Sequence, residues 1–304
     1  MTLIVARIDG GKVHVTGDTL LSKISGERLS YDQCVIKTVI INPQCCVCFA
    51  GNPDPASEAI AHLLEANYKS DNEILKYLAG VHEQYSQSTD FGVITNIDEV
   101  IKLHSLKSGE PKTNLPSFWL GDHFNNYQTK LASLSSDEPL KQKMKSAMES
   151  IIQDGNLASI GGFQVSLSSD NNSFQYEDEQ GKRTISCLSY DFGIQHVLGP
   201  QTLEFKDVGE FKSISGVSDD NVSIFSSITP EYPGAAIHYK HANVGYLFCP
   251  HLRIAQNEPE SVLESILFDD VSPNEFINQI LEEHAIQLKG FVASDDGRIT
   301  FIET

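Results

Sequence analysis

Thr2-Leu3-Ile4-Val5-Ala6, the turn Asp9-Gly10-Gly11-Lys12 and the return through Val13 to Gly17-Asp18-Thr19 read as a β-hairpin that opens at the second residue. Two short apolar runs joined by a Gly-containing turn are a strong hairpin signal. A hairpin brings the start of its first arm beside the end of its second, so Thr2 and Asp18 are expected as neighbours. A small second residue allows Met1 to be trimmed, which would leave Thr2 with a hydroxyl and a free α-amine on one residue. That amine titrates near neutrality, at about pH 7.7–8.0. It can take the proton from the hydroxyl, which is one way of activating a weak oxygen nucleophile.

Outward from this hairpin, Val35 to Asn42 and Cys45 to Ala50 read as a second strand pair. Lys37 falls among apolar residues there. A lysine so placed either snorkels to an edge or pairs with a buried acid, and Asp18 is the natural partner. Such a lysine would favour deprotonation of a nearby hydroxyl and lower the pKa of the α-amine. A plain salt bridge between strand ends is the other reading of the same residues. In Ala50-Gly51-Asn52-Pro53 a glycine lets the backbone approach a ligand, and its N–H could serve as an oxyanion donor. A strand-to-helix turn would also favour glycine at that point.

The joint spacing of Thr2, Asp18, Lys37 and Ala50-Gly51 resembles the catalytic framework of the proteasome β-subunit family of N-terminal-nucleophile (Ntn) hydrolases. Gly17-Asp18-Thr19 is similar to the family's Asp-Ser/Thr turn. Lys37 to Pro43, running on to Phe49-Ala50-Gly51, is similar to its lysine strand and Ala-Gly turn. The resemblance implies Thr2 as nucleophile with its amine as base, Lys37 lowering the local pKa, Asp18 orienting Lys37 and the Gly51 N–H stabilising the oxyanion. It implies substrate contacts near Leu21, Ser22 and Phe49, with Ser22 offering backbone bonds to an extended peptide. Asp122, within Gly121-Asp122-His123, and Asp154 with Ser159, before Gly161-Gly162, stand where the family has supporting residues in a different pattern. The implied fold is an α+β, four-layer αββα sandwich, here with a strand-rich C-terminal extension. The resemblance also implies a homo-oligomer and leaves the need for an ATPase partner open.

The strand and helix order agrees with antiparallel sheets carrying helices on their outer faces. One helix is expected to open at Asp54 as N-cap with Pro55 in its first turn, and another at Ser70 or Asp71. Helices at His123–Leu134 and Pro139–Gln153 follow. The polar stretch 168–173 suggests a boundary between a core over residues 1–170 and an α+β extension over 171–304, which either completes part of the sandwich or forms a separate lobe. In the extension, Ser272-Pro273-Asn274-Glu275 is a capping box.

The formal net charge of −19 opposes binding to nucleic-acid phosphates or anionic membranes. No apolar run approaches ~18 residues and no basic start precedes the first strand, so a cytoplasmic protein is expected. The six cysteines (Cys34, Cys45, Cys46, Cys48, Cys187 and Cys249) lack zinc spacing and read as buried thiols. His238, His241 and His251 are loosely spaced, and no metal or cofactor is expected. The resemblance implies a threonine-type amide or peptide hydrolase, with a catalytically silent assembly or scaffold subunit and a non-proteolytic Ntn amidase acting on a small substrate as the alternatives.

Overall fold

The computed structural model describes residues 2–21, 34–66, 68, 70–107, 110–154, 157, 159–170, 173–177, 179–181, 188–191, 194–199, 202–207, 210–215, 222–239, 243–293 and 299–303. The first half runs β1 (Leu3–Asp9), β2 (Lys12–Asp18), β3 (Thr38–Asn42), β4 (Cys45–Gly51), α1 (Pro53–Glu65), α2 (Asp71–Gln84), β5 (Thr89–Ile97), β6 (Val100–Lys107), β7 (Glu110–Leu115), β8 (Ser117–Gly121), α3 (Phe124–Ser133), α4 (Leu140–Ile152) and β9 (Gln164–Asp170). The second half continues with β10 (Ser173–Tyr176), β11 (Glu179–Gly181), β12 (Leu188–Asp191), β13 (Ile194–Gly199), β14 (Thr202–Asp207) and β15 (Glu210–Ser215). It ends with β16 (Val222–Ser227), β17 (Ala235–Tyr239), β18 (Val244–Phe248), α5 (Pro250–Ala255), β19 (Ile266–Phe268), α6 (Pro273–His284), β20 (Leu288–Ala293) and β21 (Ile299–Glu303).

Strand pairing is antiparallel throughout these elements. One five-stranded sheet has the order β10-β9-β2-β1-β8, and a second runs β3-β4-β5-β6-β7. A seven-stranded sheet runs β19-β18-β17-β16-β20-β21, with β11 also paired to β16, and β12 to β15 form a four-stranded meander.

Side-chain alternation explains how the larger sheets share interiors. Along β1, Ile4 and Ala6 enter the main core, while Leu3 and Val5 pack with Tyr127 of α3 and Met144, Met148 and Ile151 of α4. In β4 every residue from Cys45 to Ala50 is buried, as expected of a strand covered on both faces. The seven-stranded sheet behaves the same way. Ile224, Ile237, Tyr246 and Phe248 point into the main core. The residues between them, Phe225, Ala236 and Leu247, pack on Phe276, Ile277 and Ile280 of α6.

This third sheet corrects the expected fold. A four-layer αββα sandwich has two central sheets. Here the structure is mixed α/β and sheet-rich, because one face of the seven-stranded sheet contributes to the same core as the first two sheets. The physical reason lies in β16, β17 and β18, where Ile224, Ile237 and Tyr246 are buried on one face and Phe225, Ala236 and Leu247 on the other. At roughly 1.5–3 kcal/mol for each large apolar side chain buried, neither face can be left in water.

Several local expectations also shift. The N-cap of α1 is Asn52, two residues earlier than expected, and its side chain accepts from Asp54 N at 3.2 Å. Asn52-Pro53 and Asp54-Pro55 carry the same cap-then-proline signal, so the sequence pattern alone could not choose between them. Ser70 caps α2 by accepting from Glu73 N, and the Ser272–Glu275 capping box is formed in both directions. β3 begins at Thr38, not at Val35. The preceding segment is held by long-range bonds instead, Val35 N to Thr19 O at 3.0 Å and Ile36 N to Leu263 O at 2.9 Å. β7 is an additional strand within a segment whose polar composition gives no strand signal.

Candidate active site

The opening hairpin sets Ile4 opposite Gly17, which leaves Leu3 facing Asp18 at the end of the ladder. Leu3 N donates to Asp18 Oδ1 at 3.0 Å. The other carboxylate oxygen, Oδ2, accepts from Lys37 Nζ at 3.0 Å and from Gly161 N at 3.3 Å. Lys37 Nζ also donates to the Leu20 carbonyl at 2.6 Å. Asp18 therefore joins the Thr2–Leu3 peptide, the lysine and the loop after α4 through one carboxylate.

The side chains of both ions are almost fully buried, at 3% exposure for Lys37 and 0% for Asp18. Taking two charges out of water is costly, and their attraction offsets this only when further hydrogen bonds satisfy the remaining donors and acceptors. The bonds from Leu3, Gly161 and to Leu20 do so here. Burial pushes the Lys37 pKa below the ordinary lysine value, and the Asp18 carboxylate opposes that shift.

Thr2 is itself 2% exposed. Its carbonyl accepts from Asp122 N at 2.8 Å. Gly121 approaches so closely, at φ +80°, that an added Cβ would lie 1.8 Å from Thr2 O. Only glycine fits that turn. The Asp122 side chain is exposed. The next residue, His123, adopts the left-handed conformation, and its Nε2 lies 3.1 Å from Ser159 Oγ. Ser159 is buried two residues before Gly161, whereas Asp154 sits in the turn leaving α4, bonded through its backbone to Ile151 and Leu157.

Gly51 ends β4 with φ +113° and is exposed. Phe49, two residues earlier, is 1% exposed in the main core, and its N–H donates to the Lys37 carbonyl at 3.0 Å. Its side chain thus packs the core under the lysine segment. Leu21 is half-buried against that core, and Ser22 lies outside the described residues. The Leu20 carbonyl and the Gly161 N–H escaped sequence reasoning because backbone donors and acceptors carry no side-chain signature. The adjacent pair Gly161-Gly162 was the available clue.

Among the described residues, no cluster of three or more His, Cys, Asp or Glu side chains could hold a metal ion. Cys34, Cys45, Cys46, Cys48 and Cys249 are buried, and burial pushes the Cys45 and Cys249 thiols up to about 12. His238 Nε2 bonds Val271 O and His251 Nε2 bonds Ile40 O, and His241 lies outside the described residues. No described helix is long and apolar enough to cross a membrane. Compared with protein-family models and with curated protein sequences, the chain matches none.

Proposed function

We propose that the chain is a threonine-type amide hydrolase, acting on peptides, in which Thr2 is the mature N-terminal residue and the nucleophile. The observation that carries this reading is the Asp18 carboxylate, which binds Leu3 N–H on one oxygen and the buried Lys37 ammonium on the other. A buried lysine held beside the Thr2–Leu3 peptide is suited to lowering the proton affinity of a neighbouring amine and hydroxyl.

In the proposed reaction the Thr2 oxygen bonds to the amide carbonyl carbon while its proton passes through a water to the α-amine. The carbonyl electron pair moves to oxygen, where the Gly51 N–H is its donor. Collapse breaks the C–N bond, and the leaving amine departs with the proton held by the α-amine. A water then adds to the ester, giving its proton to the same amine. The second collapse frees the acid and restores the Thr2 hydroxyl. Lys37 keeps its charge throughout.

A homo-oligomer, with or without an ATPase partner, in the cytoplasm completes this reading. A silent scaffold subunit, in which Asp18 and Lys37 form only a structural bridge, is the second reading. Intact mass and turnover separate the two. The hydrolase requires a chain starting at Thr2, hydrolysis by the wild type and its loss in Thr2→Ala. Cleavage of small amides but not peptides would select the amidase. Thr2→Ala turning over peptides at the wild-type rate would overturn the mechanism.

A further inference from the structure

In the sheet order β9-β2-β1-β8, the strands β8 and β9 flank the opening hairpin on either side. The turn that ends β8 holds one end of the Thr2–Leu3 peptide, since Asp122 N donates to Thr2 O at 2.8 Å. The other end of that peptide is held by Asp18, to which Leu3 N donates at 3.0 Å. Asp18 is gripped in turn by the loop before β9. Gly161 N donates to Asp18 Oδ2 at 3.3 Å, and Leu20 N donates to Gly161 O at 3.1 Å. Phe163 N adds a bond to Thr19 Oγ1 at 2.8 Å.

One side-chain contact joins the turn to the loop. His123 Nε2 lies 3.1 Å from Ser159 Oγ, a hydrogen bond whichever of the two carries the proton. Ser159 is 3% exposed. With this bond a ring of contacts closes, from Thr2 through Asp122, His123, Ser159, Gly161 and Asp18 back to Leu3. His123 stands at φ 61° and ψ 19°. Few residues other than glycine take this left-handed conformation, although Asn, Asp and His do so more readily than most. Such strain persists only where the surrounding structure over-determines it, and it clusters at functional sites.

We infer that His123 is a positioning residue of the Thr2 site, acting through Ser159 to fix the Thr2–Leu3 peptide relative to the Lys37–Asp18 pair. The inference rests on the reading of Thr2 as nucleophile. Misplacing a reacting group by ~1 Å can cost about a hundredfold in rate, even when the cause lies away from the chemistry. A supporting shell locked by its own hydrogen bonds prevents that drift. Without the His123–Ser159 bond the ring opens, and the two ends of one peptide are held by loops free to move apart.

The test is steady-state hydrolysis by the full chain, on whichever of a panel of fluorogenic peptide amides and small amides the wild type cleaves fastest. Two variants separate the bond from the backbone. His123→Asn suits the left-handed conformation, but its amide ends near the place of Nδ1 and falls short of Ser159. His123→Gln reaches as far as Nε2 and keeps the bond, on a backbone it suits less well. His123→Asn should lower kcat by about tenfold to a hundredfold with KM within about twofold, and His123→Gln should stay within about threefold of the wild-type kcat. Amide hydrogen exchange at Leu3 and Asp122 should be faster in the Asn variant than in the Gln variant. Ser159→Ala removes the same bond from the other side and should match the Asn variant, which it replaces if that chain fails to fold. A wild-type kcat in His123→Asn or Ser159→Ala, or equal losses in the Asn and Gln variants, would overturn the inference and leave the hydrolase reading standing. A wild type that starts at Thr2 and cleaves nothing in the panel overturns that reading, and the inference with it.

Discussion

Asp18 carries three hydrogen bonds on two oxygens, one of them from a lysine as buried as itself. Removing one partner strands the other charge in a buried site, which typically costs ~3–5 kcal/mol. Asp18→Ala should therefore lower the chain's stability to urea by about that amount and abolish hydrolysis. Lys37→Met keeps the side-chain volume but leaves Asp18 with only the Leu3 and Gly161 N–H donors. It should spare stability relative to Asp18→Ala while eliminating turnover. If Lys37→Met kept the wild-type rate, the pair would be a structural bridge and the scaffold reading would gain. Gly121→Ala tests the turn around Thr2, because its methyl group would meet Thr2 O at 1.8 Å. It should reduce turnover more than mutation of the exposed Asp122 side chain does.

At the scale of elements, β9 and β10 are tied to α4 by one acid. Burial alone would raise the pKa of Glu177, but the Lys145 and Lys141 ammonium groups hold it below its ordinary 4.5. An acid depressed by folding stabilises the native state above its unfolded pKa. That contribution is lost as pH falls through the lower folded value. Glu177→Gln should thus cost roughly 1.5–3 kcal/mol near pH 7, the usual range for charge-assisted hydrogen bonds, with Lys141 at the weak end because it is 44% exposed. Urea denaturation at pH values progressively below 4.5 should show the difference shrinking. At the other end of the chain, the capping box of α6 predicts that Ser272→Ala costs about 1 kcal/mol by orphaning the Glu275 N–H. Thermal unfolding measures it.

For the whole molecule, the decisive feature is the seven-stranded sheet, with one face in the main core and the other on α6. Bonds such as Ile36 N to Leu263 O and Ser57 Oγ to Glu260 O link distant parts of the chain. Truncation after residue 170 should therefore expose apolar faces of β4 and β9's surroundings and yield an aggregating chain rather than a folded hydrolase. Assembly is read by light scattering at micromolar concentration. The proposed homo-oligomer requires a mass well above 33.5 kDa, and a monomer with full activity would exclude it.

Short-range patterns in the sequence were enough to place the opening hairpin, the four principal helices of the first half and the α6 cap. A two-residue turn, an apolar stripe at helical spacing and a Ser–Glu cap each act within a few residues. The pairing of Asp18 with Lys37 was legible for a similar reason, since a charge inside an apolar run needs a partner and a hairpin end supplied one. Tertiary structure alone decided the rest. It took Lys37 out of the strand, because Val35 and Ile36 bond to Thr19 and Leu263 before β3 begins. It drew Phe49 into the core and selected Asn52 over Asp54 as the cap. Above all it joined a third sheet to the first two. Periodicity says that a face is apolar but not which distant face will cover it, and that choice is made only when the whole interior packs.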